Sequence, residues 1–142
     1  MKRLSVLAIA LVAALALGAI AAGAAVKVPS EVTIAFNPGG LYDPYYGGYY
    51  EESTLSGKVK PDAGGKLKKK CRKGRVVAIK PVGGGGFVAE DKTNKKGRYR
   101  VSAATLAPGD YFAKAKKKKT RVKGMKVVCK GAKSAPITIA AP

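Results

Sequence analysis

Thr93-Asn94-Lys95-Lys96-Gly97-Arg98-Tyr99-Arg100-Val101, followed after a short loop by Ala107-Pro108-Gly109-Asp110-Tyr111-Phe112-Ala113, reads as turn, strand, turn, strand. Asn94 and Gly97 are turn formers. Tyr99 and Val101 alternate with Arg98, Arg100 and Ser102, and Pro108-Gly109 breaks the chain before a second alternating run. A period of two between tight turns belongs to an antiparallel sheet with one buried face, because successive side chains point to opposite sides of a strand.

The same pattern extends in both directions. Upstream, Leu55, Gly57 and Val59 alternate with Ser56, Lys58 and Lys60 before the turn at Pro61 to Gly65. Gly74 to Lys80 is β-branched and bounded by Gly74 and Pro81, as expected of a buried strand. Gly83 to Gly86 form a loop, and Phe87-Val88-Ala89 reads as a short edge. Downstream, Tyr111, Ala113 and Ala115 face in, Lys117 to Lys119 form a tip, Met125, Val127 and Cys129 alternate with lysines and Val128, and Ile137 and Ile139 finish the pattern. These runs predict an all-β, seven-stranded antiparallel sandwich with no helix after the N-terminal leader. Its expected core is Leu55, Val59, Val77, Ile79, Tyr99, Val101, Tyr111, Val127, Ile137 and Ile139.

Met1-Lys2-Arg3 is a short basic segment, Leu4 to Ile20 is apolar, and Ala22-Gly23-Ala24 supplies a small-residue cleavage pattern. Residues 1–25 therefore read as a secretory signal peptide with a helical apolar stretch; the competing reading is an uncleaved anchor, since the run nearly reaches spanning length. Residues 26–53 read as one strand around Val32, Ile34 and Phe36, followed by a Tyr/Gly/Pro-rich loop or linker. Residues 54–142 are the sandwich. Once the leader is removed, no membrane span is expected, and the protein is expected to be extracellular or surface-associated. Tyr42, Tyr45, Tyr46, Tyr49 and Tyr50 crowd five of the seven tyrosines into one loop. Such a loop reads either as an aromatic surface for carbohydrate or protein, or as a linker.

Charge narrows the function classes. The chain carries 28 basic and 8 acidic residues, a formal +20, and removing Lys2 and Arg3 with the leader leaves +18. A polycation of this strength attracts polyanions. Histidine and tryptophan are absent, which removes the commonest general base and metal ligand and the best stacking ring. The acids are scattered, and the adjacent pairs Glu51-Glu52 and Glu90-Asp91 point to opposite faces of any strand. No catalytic residue, metal site or cofactor is expected.

The two cysteines of an exported chain read as one disulfide, Cys71 to Cys129, which acts as a staple. Such a bridge holds its α-carbons about 5.5 Å apart. It would bring Lys68, Lys69, Lys70, Arg72 and Lys73 beside Lys126 and Lys130, with Arg75 and Lys116 to Lys119 adding to one cationic face. Two readings of that face stand side by side, a solvated lysine surface and a binding site for anionic polymers: cell-wall teichoic or uronic polymers, anionic lipid headgroups, or nucleic acid. Lysine outnumbers arginine 22 to 6, which favours diffuse, salt-sensitive attraction over bidentate recognition. Nucleic acid is not expected as a physiological partner, because no aromatic residues are interleaved with the basic runs and the leader directs the chain out of the cytoplasm.

Gly57-x-Val59, Gly74-Arg75-Val76-Val77-Ala78-Ile79, Thr93-Asn94-x-x-Gly97-x-Tyr99-x-Val101 and Pro108-Gly109-x-Tyr111-x-Ala113 together resemble carboxypeptidase-regulatory-like domains of the transthyretin-like group, over about Thr54 to Ala140. The resemblance implies a seven-stranded, Ig-like sandwich in which Gly97 turns into a strand and Tyr99 packs into the core. It also implies a non-enzymatic accessory or adhesive role, as in small secreted proteins of actinobacterial type. Collagen-adhesin relatives often carry a Lys–Asn crosslink; here Asn37 and Asn94 are the only asparagines and neither lies in a late strand, so the cysteine pair takes the stapling role. The combined expectation is a secreted binding or structural module whose cationic face meets anionic envelope polymers. The alternative is an adhesive module that uses the tyrosine loop on carbohydrate or a protein partner.

Overall fold

A computed structural model describes residues 23–40 and 52–141. Residues 1–22 of the expected signal peptide (1–25) and the tyrosine loop at Tyr42 to Tyr50 lie outside the described residues. The alternating runs become strands: β1 (Val26–Val28), β2 (Ser30–Val32), β3 (Ala35–Asn37), β4 (Thr54–Pro61), β5 (Val76–Pro81), β6 (Ala89–Lys92), β7 (Arg98–Ser102), β8 (Gly109–Ala115), β9 (Lys118–Val122), β10 (Met125–Cys129), β11 (Ala132–Lys133) and β12 (Ile137–Ile139). One helix among the described residues, α1 (Gly65–Arg72), corrects the expectation of none after the leader.

The strands form three sheets. One has the order β11-β8-β5-β6 with β12 also on β8; a second has β2 and β3 on one side of β4 and β7 on the other; the third is β1-β10-β9. The strand number exceeds seven partly because two edges are interrupted. β2 and β3 both pair with β4 but part at Thr33-Ile34, where the Thr33 carbonyl lies so close to Gly57 that any Cβ would overlap it. β11 and β12 both pair with β8 but part around Pro136, which has no N–H for a ladder. Residues 26–37 supply three strands where one was expected, and β1 joins β10 in parallel.

Two clusters of apolar side chains hold these sheets. The larger draws Val77, Ile79, Tyr111, Ala113, Ala115 and Ile139 from the first sheet and Val32, Leu55, Val59, Tyr99 and Val101 from the second. Of the ten expected core residues, Ile137 packs against this cluster only half-buried. Val127 belongs instead to the smaller cluster, with Val28, Val122 and the disulfide Cys71–Cys129, whose Cα atoms are 5.3 Å apart. The bridge therefore pins α1 to β10.

The Thr93–Tyr99 stretch locks the two sheets and the helix together. Asn94 Oδ1 accepts from the backbone N–H groups of Lys96 and Arg98 at 2.9 and 3.1 Å, closing the turn. Buried Thr93 donates its hydroxyl to the Arg72 carbonyl at 2.6 Å and accepts from the Arg75 N–H at 2.8 Å. Tyr99 reaches across to donate to the Thr33 carbonyl at 2.6 Å, and burial pushes its hydroxyl pKa well above the ordinary tyrosine value.

Gly97 has φ +78°. A Cβ there would fall 2.5 Å from Arg72 Cγ and 2.6 Å from the Val59 carbonyl oxygen. Gly97→Ala combines a left-handed non-glycine residue with overpacking against backbone, and is expected to cost about 3 kcal/mol. The check is a lowered urea midpoint at an unchanged denaturant slope.

Candidate functional site

The helix has little intrinsic drive: Lys66, Lys68, Lys69, Lys70 and Arg72 repel one another, and no acidic residue supports its first turn. What fixes it is one apolar face. Leu67 and Cys71, four residues apart, pack into the smaller cluster, and the disulfide secures that face. Lys69, Lys70 and Arg72 sit in the last turn, where the exposed carbonyls favour cations. Lys118, the first residue of β9, donates its ammonium to the carbonyls of Lys70 and Lys73 at 3.1 and 2.6 Å and so caps the helix end. Burial first, then the neighbouring charges of Arg75, Lys70 and Lys73, hold its pKa below the ordinary lysine value.

Opposite α1 lies the β9–β10 hairpin, closed by the two-residue turn Lys123-Gly124 with φ +49° and +79°. Positive φ at both central residues suits the twist of a hairpin. Between helix and hairpin runs an open cleft of about 740 Å³, lined by Lys66, Lys69, Lys70, Lys73 and Gly74 on one side and Lys118, Thr120, Arg121, Val122 and Lys123 on the other. No carboxylate lines it. A groove of single-sign charge between low-dielectric walls focuses its field outward and concentrates anions.

Among the sequence-predicted basic residues, Lys69, Lys70 and Lys73 line this cleft. Lys68 is exposed elsewhere on the helix surface. Arg72 lies against the Gly97 turn, with its Nε buried and unpartnered. Lys126 lines a separate groove beside Lys119 and Arg121 on the hairpin, and Lys130 lends its backbone carbonyl to the interior. Arg121 and Lys123 were not singled out from the sequence; the Lys-Gly dipeptide between two alternating runs was the hairpin signal that would have placed them.

Arg75 requires a correction. The sequence reading put it on the cationic face, but it is fully buried. Its guanidinium donates to the carbonyls of Cys71 at 3.0 Å, Lys116 at 3.1 and 3.2 Å and Lys130 at 2.7 Å, and to Ser30 Oγ at 3.1 Å. Those partners come from the helix end, the β8–β9 loop, the end of β10 and β2. Burial lowers the arginine pKa, yet a guanidinium starts so high that it remains charged at neutral pH. One buried cation, solvated by backbone carbonyls, thus ties the cleft's helix to the sheets.

No family model, curated protein or solved structure matches the chain.

The carboxylates near the sheets are occupied structurally. Glu90 pairs with Lys116 at 2.8 Å, Asp91 accepts from the Arg100 N–H at 2.9 Å, and Asp110 accepts from the Thr138 hydroxyl at 2.6 Å. Lys116–Glu90 is the one ion pair among the described residues. Most cationic side chains therefore face solvent without an intramolecular counterion.

Proposed function

We propose that the chain is an exported, non-enzymatic binding module, a transthyretin-like sandwich stapled by Cys71–Cys129, that attaches to anionic polymers of the cell envelope through the cleft between α1 and β9. The observation that carries this reading is the concentration of Lys66, Lys69, Lys70, Lys73, Lys118, Arg121 and Lys123 around one groove with no lining carboxylate. A solvated lysine surface has no reason to exclude acids from one groove, and self-repulsion there weakens folding unless a polyanion relieves it. Six of the seven are lysines with exposed or partly exposed side chains, suited to repeated phosphate or carboxylate charges without a fixed register. Export fits the disulfide, which persists in oxidising compartments.

The test is binding of the oxidised protein to purified envelopes across a salt series. Retention is expected at low ionic strength, with release as the Debye length falls from about 10 Å at 0.1 M to about 3 Å at 1 M salt. Retention that ignores salt would point to aromatic or apolar contacts and away from the cleft.

A further inference from the structure

Among the described residues, the exposed large apolar side chains are Val82, Phe87, Val88 and Met125. Three of these four sit on a single loop, the β5–β6 connection Val82 to Val88, which consists otherwise of Gly83 to Gly86 and carries no charge. Phe87 is 57% exposed and Val88 44%. A glycine-rich segment keeps the freedom to turn such side chains outward.

The loop leaves the sheet beside a face on which lysines outnumber acids, for the same outer side carries Glu90, paired with Lys116, and Asp110, which accepts from the Thr138 hydroxyl. Strand alternation and register put Lys80, Phe112 and Lys114 on the outer side of β5 and β8, with Lys133 opposite Lys114 and Lys92 opposite Val76. Lys133 Nζ sits 5.5 Å from the Phe112 ring centre and Lys116 Nζ 5.8 Å from that of Phe87. The loop's aromatic ring thus belongs to the same face as the lysines. Apolar side chains rimmed by ammonium groups, with rings between the two, match the layering of a bilayer interface, where apolar groups enter the acyl boundary and cations meet anionic headgroups.

We infer that the Val82–Val88 loop and the outer face of the β5–β8 sheet form a docking surface for an anionic lipid bilayer, with Phe87 and Val88 inserted and Lys80, Lys114 and Lys133 on the headgroups. This surface shares no lining residue with the cleft, and it stands or falls independently of polymer binding.

The chain has no tryptophan, so Phe87→Trp creates a single emitter at the loop. With phosphatidylglycerol vesicles its emission is expected to shift to the blue and to be quenched by lipids brominated on their acyl chains; with phosphatidylcholine vesicles neither is expected. Phe87→Asp with Val88→Asp, both at exposed positions, is expected to keep the wild-type unfolding midpoint and lower vesicle co-sedimentation about tenfold or more. Co-sedimentation with unshifted emission would reduce the association to charge alone and overturn the inference. A blue shift that appears on concentrating the protein without lipid would assign the loop to a second copy of the chain and overturn it as well.

Discussion

Replacing Arg75 with methionine is expected to lower unfolding stability by roughly 3–5 kcal/mol, as for breaking a buried charged network. The carbonyls of Cys71, Lys116 and Lys130 lose the guanidinium that donates to them, and each buried, unpaired group costs about 1–3 kcal/mol. Against this stands the relief of desolvating a guanidinium that has no carboxylate partner, which keeps the total below the simple sum. Arg75→Lys discriminates between charge and geometry. It retains the cation, but its ammonium cannot span carbonyls that arrive from three directions in the plane of a fork, so most of the loss is expected to persist. Urea melts of the three proteins check this. A methionine variant within about 1 kcal/mol of wild type would mean that the carbonyls find water without the guanidinium, and the bracing role would be wrong.

Loss of the disulfide is the second large effect. The bridge closes 58 residues, and the chain-entropy model assigns such a loop about 4 kcal/mol. For a domain of this size that corresponds to a drop in Tm of roughly 15–20 °C. The damage is expected to be uneven. Cys71 and Cys129 are both fully buried in the smaller cluster, whereas the larger cluster contains neither. Cys71→Ala with Cys129→Ala should therefore raise amide exchange first in α1 and β10, while the amides of β4, β5 and β8 stay protected at the same denaturant concentration. Uniform acceleration across all strands would show that the two clusters unfold as one.

How much of this was legible in the residues depends on how local the cause is. The alternation of Arg98 to Ser102, Leu55 to Lys60 and Tyr111 to Ala115 reports a buried face directly, and those strands form with the expected residues inward. The disulfide pairing followed from there being only two cysteines. The helix was hidden because a run of lysines carries a weak apolar pattern; only Leu67 and Cys71 mark its inner face, and tertiary packing outweighs the repulsion among the rest. Strand β1 was missed because its parallel partner β10 lies about a hundred residues away along the chain. The burial of Arg75 arises from four separate chain segments converging on it, and nothing in its neighbours' identities announces that. The cleft was half visible: Lys69, Lys70 and Lys73 stood out as a cluster, while Arg121 and Lys123 join them only through the hairpin.

The measurement that tests cleft binding most directly compares two variants of equal charge on purified envelopes at low salt. One carries Lys69→Gln, Lys70→Gln and Lys73→Gln; the other carries Lys60→Gln, Lys95→Gln and Lys96→Gln, exposed positions that do not line the groove. Focusing by the groove predicts that the first loses about tenfold or more in affinity and the second only a small part of that. Equal losses in both would show that net charge alone drives attachment, and would contradict a binding cleft between α1 and β9.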